Sequence, residues 1–250
     1  VCATGALVQQ VQETTTQLWW RMQAVRHVRQ QNFPEAFSSF RAAGVHLPWL
    51  QDVQGTQGQN WVARAGLLLR DNVLHRSQIE KAYLKAIATA RHEIVIANAY
   101  FLPGRKLRQA LVLAAQRGVK VRLLLQGRYE YFMQYHAARP VYRQMLDAGV
   151  EISEYTQSFL HAKVAVIDAH HERPWATVGS SNLDPFSLLL AREANVVVAD
   201  GHFAKRLHQA LMQAFDQDSL RIMPQTLKER SQFLRALDWI AFGLMRFAIW

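Results

Sequence analysis

His161-Ala162-Lys163-Val164-Ala165-Val166-Ile167-Asp168, followed by Gly179-Ser180-Ser181-Asn182, is the part of the chain from which the rest is read. The alternation of small and β-branched residues predicts a strand over 162–167, on which residues two apart share a face. His161 and Lys163 then project together, while Ala162, Val164 and Val166 point the other way. Asp168 is an odd number of positions from both, so it faces away and is expected to fix the turn after the strand. Gly179 permits a close backbone approach, and Ser180, Ser181 and Asn182 supply neutral donors. With Lys163 they would cradle a phosphate, one cation offsetting its charge and several donors fixing its oxygens. A histidine beside a phosphodiester can attack phosphorus or protonate the leaving oxygen. Such chemistry calls for no metal and no cofactor. Glu193 is the candidate to orient the imidazole, as a carboxylate does in other triads, which completes a catalytic set of His161, Lys163, Asp168 and Glu193.

Outward from this stretch the pattern is strand and helix in alternation. Residues 62–70 read as a strand. Residues 75–91 follow as a helix with Ile79, Tyr83, Ala86, Ile87 and Ala90 on one face, and 93–97 as a strand. The unit repeats with a helix over 106–117 stopped by Gly118, a strand over 119–125, a helix over 136–148 and a strand over 150–155. Three strand candidates, 162–167, 175–178 and 193–198, come without helices between them, and the first two are placed as a hairpin. A helix over 202–215 turns Phe203, Leu207, Leu211 and Ala214 inward. The fold class is therefore α/β, a mixed sheet flanked by helices on both faces. Asn98, Tyr100 and Phe101 follow a strand end, where such sheets place ligands, and are candidates to line a substrate entrance.

Of the 250 residues, half are hydrophobic, enough for one well-buried core. The formal charge of +10 favours polyanionic partners and does not by itself choose among nucleic acid, lipid surfaces and phosphorylated substrates. The single cysteine, Cys2, excludes an internal disulfide and a cysteine-based zinc site. The first residues lack the basic and apolar run of a signal peptide, and the start without methionine points to a fragment. Residues 236–250 are strongly apolar. Asp238 and Arg246 interrupt them, and they fall short of the roughly 20 residues that span a bilayer, so the segment 224–250 is expected to lie in the membrane interface, with Trp239, Phe242, Phe247 and Trp250 as its aromatic contacts.

The spacing His, one residue, Lys, four residues, Asp, with GSSN downstream, resembles the HKD motif of the phospholipase D superfamily. The strings Arg70-Asp71-Asn72, Ala97 to Gly104, Asn182-Leu183-Asp184-Pro185 and Glu193-Ala194-Asn195 resemble the second half of bacterial cardiolipin synthases, closest to the B type, over residues 60–220. The resemblance implies a phospholipase D-like catalytic lobe over 61–223, preceded by residues 1–60 as the helical tail of another lobe ending in the linker 51–60. It further implies phosphatidyl transfer making cardiolipin from phosphatidylglycerol through a phosphohistidine intermediate. Two HKD motifs normally meet at one site and this chain holds one, so a missing amino-terminal lobe or a second copy must supply the other. His161 is then the general acid and base. The implied partners are anionic phospholipid, a membrane surface and that first lobe, at the cytoplasmic side of a bacterial membrane; nucleic acid is not expected. The rival readings are a single-motif nuclease acting as a homodimer, a hydrolytic phospholipase D, and an inactive lobe that only binds anionic lipid.

Overall fold

A computed structural model of the chain describes residues 4–30, 34–35, 38–39, 51–54, 62–71, 75–129 and 132–247. Cys2, Asn72, Trp250 and residues 55–60 of the expected linker lie outside these, as do the side chains of Arg246 and Phe247. The chain divides into two compact units, Val1–Leu67 and Leu68–Trp250.

In the first unit, β1 (Thr4–Gly5) leads into the long helix α1 (Ala6–Arg29), whose last turn carries Arg26, His27 and Arg29 where a helix's negative end favours cations. Strand β2 (Gln51–Gln54) pairs antiparallel with β1 and with the start of β3 (Val62–Arg70). Residues 51–54 were expected as linker. Their ladder is made by backbone groups, which polar side chains do not prevent, and the unit boundary falls inside β3 rather than at residue 60.

The second unit holds the alternating elements. Helix α2 (Gln78–Thr89) buries Ile79, Tyr83, Ala86 and Ile87, the 3.6-residue face read from the sequence, and delivers β4 (Glu93–Asn98). Helix α3 (Arg105–Gln116) buries Leu107, Leu111 and Ala114. Gly118, at φ 88°, ends it before β5 (Lys120–Gln126). Helix α4 (Phe132–Asp147) starts a turn earlier than the spacing implied and precedes β6 (Glu151–Tyr155). Then come β7 (Lys163–Ile167), β8 (Trp175–Gly179), the short helix α5 (Pro185–Leu189), β9 (Glu193–Ala199), α6 (Gly201–Gln217), β10 (Ser219–Ile222), α7 (Pro224–Lys228) and α8 (Gln232–Phe247).

In this unit the strand order is the end of β3, then β9, β8, β7, β4, β5, β6 and β10. Strands β4, β5 and β6 run parallel, joined by helical crossovers. The pairs β4–β7, β7–β8, β8–β9 and β6–β10 are antiparallel, the expected hairpin of β7 and β8 among them. Ile94, Ile96, Leu123, Leu125, Ala165 and Ile167 face one core, filled by α2, α3, α4 and Ala241 of α8. Val95, Ala97, Leu124, Val166 and Ala176 face the other, under Ala204, Leu211 and Phe215 of α6. The sheet is thus mixed and covered on both faces.

Helix α8 differs from a segment simply lying in a membrane. One face packs on α4, with Ala241 and Asp238 buried, and Asp238 accepts from His136 at 2.6 Å and from Arg230 at 3.1 and 3.2 Å. Its opposite face exposes Phe233, Trp239, Ile240 and Leu244. Among the described residues, no helix is long and apolar enough to cross a membrane.

Candidate active site

The carboxyl end of β4, the amino end of β7, the carboxyl end of β8 and the amino end of β9 lie along one edge of the sheet. In register they carry a polar row: Asn98 stands opposite Lys163, Val164 opposite Val178, and Gly179 opposite Asn195. By the two-residue period, Asn98 continues the face of Ile94 and Ile96, Lys163 that of Ala165 and Ile167, and Asn195 that of Val197. The apolar core of that face therefore ends in two amides flanking an ammonium.

Residues 181–183 are pinned across this row. The Ser181 amide donates to Asn195 Oδ1 at 3.3 Å, and the Leu183 amide donates to Asn98 Oδ1 at 3.2 Å. Asn195 and Asn98 belong to β9 and β4, with β8 and β7 between, so Asn182 is carried over Gly179 and Lys163. Lys163 is only 6% exposed, and its Nζ donates to the His161 carbonyl at 3.2 Å. The Asn182 Oδ1 is buried without a hydrogen-bond partner among the described residues. Asp184 caps α5, accepting from the Ser187 amide at 3.0 Å and its hydroxyl at 3.2 Å. Burial pushes the Asp184 carboxyl above its ordinary range, and the charge of Lys163 pulls in the opposite direction.

His161 precedes β7 rather than belonging to it, and its side chain is exposed. The lead-in is held from β5: Gln126 Oε1 accepts the Leu160 amide at 3.1 Å, and Arg128 donates to the Thr156 carbonyl at 3.2 Å and the Gln157 carbonyl at 2.6 Å. On the far side of His161, the Ala162 carbonyl accepts the Ala99 amide at 3.0 Å. These bonds present the imidazole at the rim beside the buried ammonium.

Other expected residues take different places. Glu193 accepts from the Ser180 hydroxyl, and the Ala194 amide donates back to Ser180 Oγ at 3.1 Å; no hydrogen bond joins Glu193 to the His161 imidazole among the described residues. The buried Arg70 donates to the Ala191 carbonyl, and Glu193 lies within its electrostatic reach. The hydroxyl of the buried Ser181 donates to the Asn182 carbonyl at 3.2 Å, which directs it inward instead of toward an open phosphate site. Asn98, expected at an entrance, is fully buried and ties down Leu183. Phe101 is buried in the core, and with the half-buried Tyr100 it forms a wall of a cleft at this edge of the sheet. Asp168 accepts from the amides of Arg91, His92 and Glu93 at 2.9, 2.8 and 2.9 Å, a turn-fixing role with no contact to the rim.

Sequence reasoning did not single out the two asparagines as anchors, nor Asp184, Gln126 or Arg139 and Glu154. A signal was present for Asn98, a lone amide ending the apolar run of β4. The partners of the others lie far away in the chain and leave no local trace. Among the described residues, no group of three or more His, Cys, Asp or Glu could hold a metal ion.

A buried lysine and a rim histidine on one sheet edge, under a Ser-Asn segment, define a lobe suited to grip a phosphodiester. Residues 83–218 match the family described as cardiolipin synthase, PLD-like domain, and the chain belongs to that family. It is 41% identical over 184 residues to cardiolipin synthase B of Escherichia coli strain K12, a match covering 74% of this chain and 44% of that protein. It is 30% identical over 215 residues to cardiolipin synthase 2 of Bacillus anthracis, covering 86% and 37% respectively. The chain thus spans less than half the length of these curated relatives. Among solved structures, it is similar to phosphatidylserine synthase from Haemophilus influenzae Rd KW20, with a TM-score of 0.61 at 11% identity over 88% of this chain and 54% of that one. It is also similar to the phospholipase D family member Nuc from Salmonella typhimurium, with a TM-score of 0.53 at 19% identity over 63% and 97%. At such identities the two structures speak for the fold alone.

Proposed function

We propose that this chain supplies one half-site of a phosphatidyltransferase that makes cardiolipin from phosphatidylglycerol. One observation carries the reading: the ammonium of Lys163 is held beneath residues 181–183 with the exposed His161 beside it. The ammonium offsets the charge of a bound phosphodiester, and Asn182 is placed to orient its oxygens. In the first step a histidine nitrogen attacks phosphorus, the P–O bond to the departing alcohol breaks, and that oxygen takes a proton from a second histidine. In the next step the second histidine removes the proton of the incoming alcohol, whose oxygen attacks phosphorus and displaces the first histidine. His161 takes the acid and base role, and the partner half-site, on another lobe or a second copy, contributes the nucleophile. Membership of the family and the names of its relatives support the lipid substrate.

The exposed apolar face of α8 supports peripheral binding at the cytoplasmic side of a bacterial membrane. Met245 of α8 lines the cleft beside the site, while Trp239, Ile240 and Leu244 face outward, so one helix separates lipid-compatible surface from polar cleft. The test uses the protein that carries this chain together with its second half-site. Phosphatidylglycerol should be consumed and cardiolipin formed, and His161→Ala should abolish both; undiminished turnover in that variant ends the proposal. DNA cleavage by a dimer of this chain would replace it with the nuclease reading, and vesicle binding without turnover would leave a lipid-binding lobe.

A further inference from the structure

Arg139 and Glu154 form an ion pair, Nη1 to Oε1 at 2.8 Å, in a place where stability alone does not account for it. Arg139 is 6% exposed and lies over the rings of Tyr135 at 4.1 Å and Tyr142 at 5.0 Å. Burial pushes the Glu154 carboxyl above its ordinary range against the pull of Arg139. Removing two charges from water offsets most of what their attraction returns, and an apolar pair of the same volume commonly does as well. Yet this pair lines the wall of a cleft of about 580 Å³, counting its open mouth, between α4 and the ends of β4, β5 and β6. Asp184, within electrostatic reach of Lys163, lines the same cleft, which is therefore continuous with the phosphate-gripping row.

We propose that this cleft is the subsite for the head of the incoming alcohol, and that it takes an uncharged, hydroxyl-rich group. The proposal rests on the phosphatidyl-transfer reading and goes beyond it in assigning the site and its selectivity. Two polar atoms of the lining are buried without a partner among the described residues: Arg139 Nε, a donor, and Gln134 Oε1, an acceptor. A hydroxyl accepts from the first and donates to the second, and a group with adjacent hydroxyls satisfies both at once. An ammonium cannot accept from Arg139 and meets its positive charge. A second phosphate is disfavoured as well, because Glu154 already offsets Arg139 and the carbonyls of Thr156 and Gln157 engage Arg128. The depth of the cleft suits a polar head, with Phe186 and Met245 left to contact its apolar stem.

The experiment is acceptor competition in the intact two-half-site protein: phosphatidyl transfer from phosphatidylglycerol to glycerol, 1-propanol and ethanolamine, with kcat/KM measured for each. Gln134→Met keeps helix propensity and bulk while removing the acceptor. Arg139→Met with Glu154→Met replaces the ion pair by an apolar one, and so avoids a stranded charge. Wild type is expected to prefer glycerol to both competitors, and each variant to lower the glycerol-to-propanol ratio about tenfold, as the loss of one or two good hydrogen bonds would. An unchanged ratio in both variants, or a wild-type preference for ethanolamine, overturns the subsite while leaving the transferase reading intact. Absence of transfer by wild type to every acceptor overturns both.

Discussion

The side-chain amide of Asn195 occupies the space that a β-carbon on Gly179 would need, and the Ala194 carbonyl closes in from the same strand at 2.5 Å. The glycine is therefore required by a neighbour within the sheet. Asn195 in turn holds the Ser181 amide, so the strand end and the segment over Lys163 are one mechanical unit. Gly179→Ala should destabilise the protein by about 2–3 kcal/mol through overpacking. Adding Asn195→Ala should restore part of that loss, making the double variant less than additive by urea unfolding. Strict additivity would mean that the two residues do not compete for space.

Asp168 and His161 share a motif and should separate cleanly in their effects. Asp168 receives three backbone amides and sits at φ 50°, a conformation that Asp tolerates better than Ala. Asp168→Ala should lose about 3 kcal/mol or more, since charged hydrogen bonds to buried amides are among the costlier to remove. His161→Ala, at an exposed position, should change stability by less than about 0.5 kcal/mol. Turnover should follow the reverse order, with folded Asp168→Ala protein retaining activity that His161→Ala lacks. Loss of activity by folded Asp168→Ala protein would place the carboxylate in the chemistry.

Much of this architecture could be read beforehand, for particular reasons. The faces of α2 and α3 carry their apolar residues at helical spacing, and β7 states its own alternation, so element type and sheet class followed from local pattern. Strand β10 did not, because its SLRI pairs with β6 at the sheet edge through backbone groups and leaves Leu220 and Arg221 exposed. Gln51–Gln54 was hidden the same way. In the site, His161 and Lys163 were identified by spacing, whereas Glu193 was assigned to the imidazole and bonds Ser180 instead. That choice depends on how β8 and β9 align, with Gly179 opposite Asn195, and no short window of sequence contains the alignment.

Asp184 gives the site a pH signature. Its carboxyl is raised in the folded protein, chiefly by burial. The unfolded chain releases this proton near the ordinary value of 3.8 and the folded chain only at higher pH. The folded state therefore binds more protons in that window, and stability falls as pH rises through it. Asp184→Asn keeps the capping acceptor toward Ser187 and removes the titration. Its unfolding free energy should accordingly be flatter than that of wild type from about pH 4 upward. Parallel curves for the two proteins would show that the carboxyl ionises alike in both states.

Gln126 should act on turnover through His161 without touching substrate phosphate. Its Oε1 holds the Leu160 amide, one residue before the histidine. Gln126→Leu keeps the bulk and releases the lead-in. The expected result is a fall in kcat of roughly tenfold, from misplacement of the imidazole, with KM for the phosphatidyl donor little changed. Gln126→Glu retains an acceptor and should recover most of the rate. Equal loss in both variants would tie the effect to the cleft rather than to the position of His161.

The two faces of α8 provide the final contrast. Trp239, Ile240 and Leu244 are each more than half exposed, whereas Asp238 on the other side is buried between His136 and Arg230. If the outer face meets lipid, replacing Trp239, Ile240 and Leu244 together by Ser should lower partition onto phosphatidylglycerol vesicles on the order of a hundredfold, from the apolar area withdrawn. Stability in solution should hold to within about 0.5 kcal/mol per site, since no buried contact is lost. Asp238→Ala should do the opposite, destabilising by about 3 kcal/mol because His136 and Arg230 lose their shared carboxylate, while folded molecules partition as wild type does. An unfolded triple Ser variant, or one that still binds vesicles fully, would reassign the outer face to protein packing.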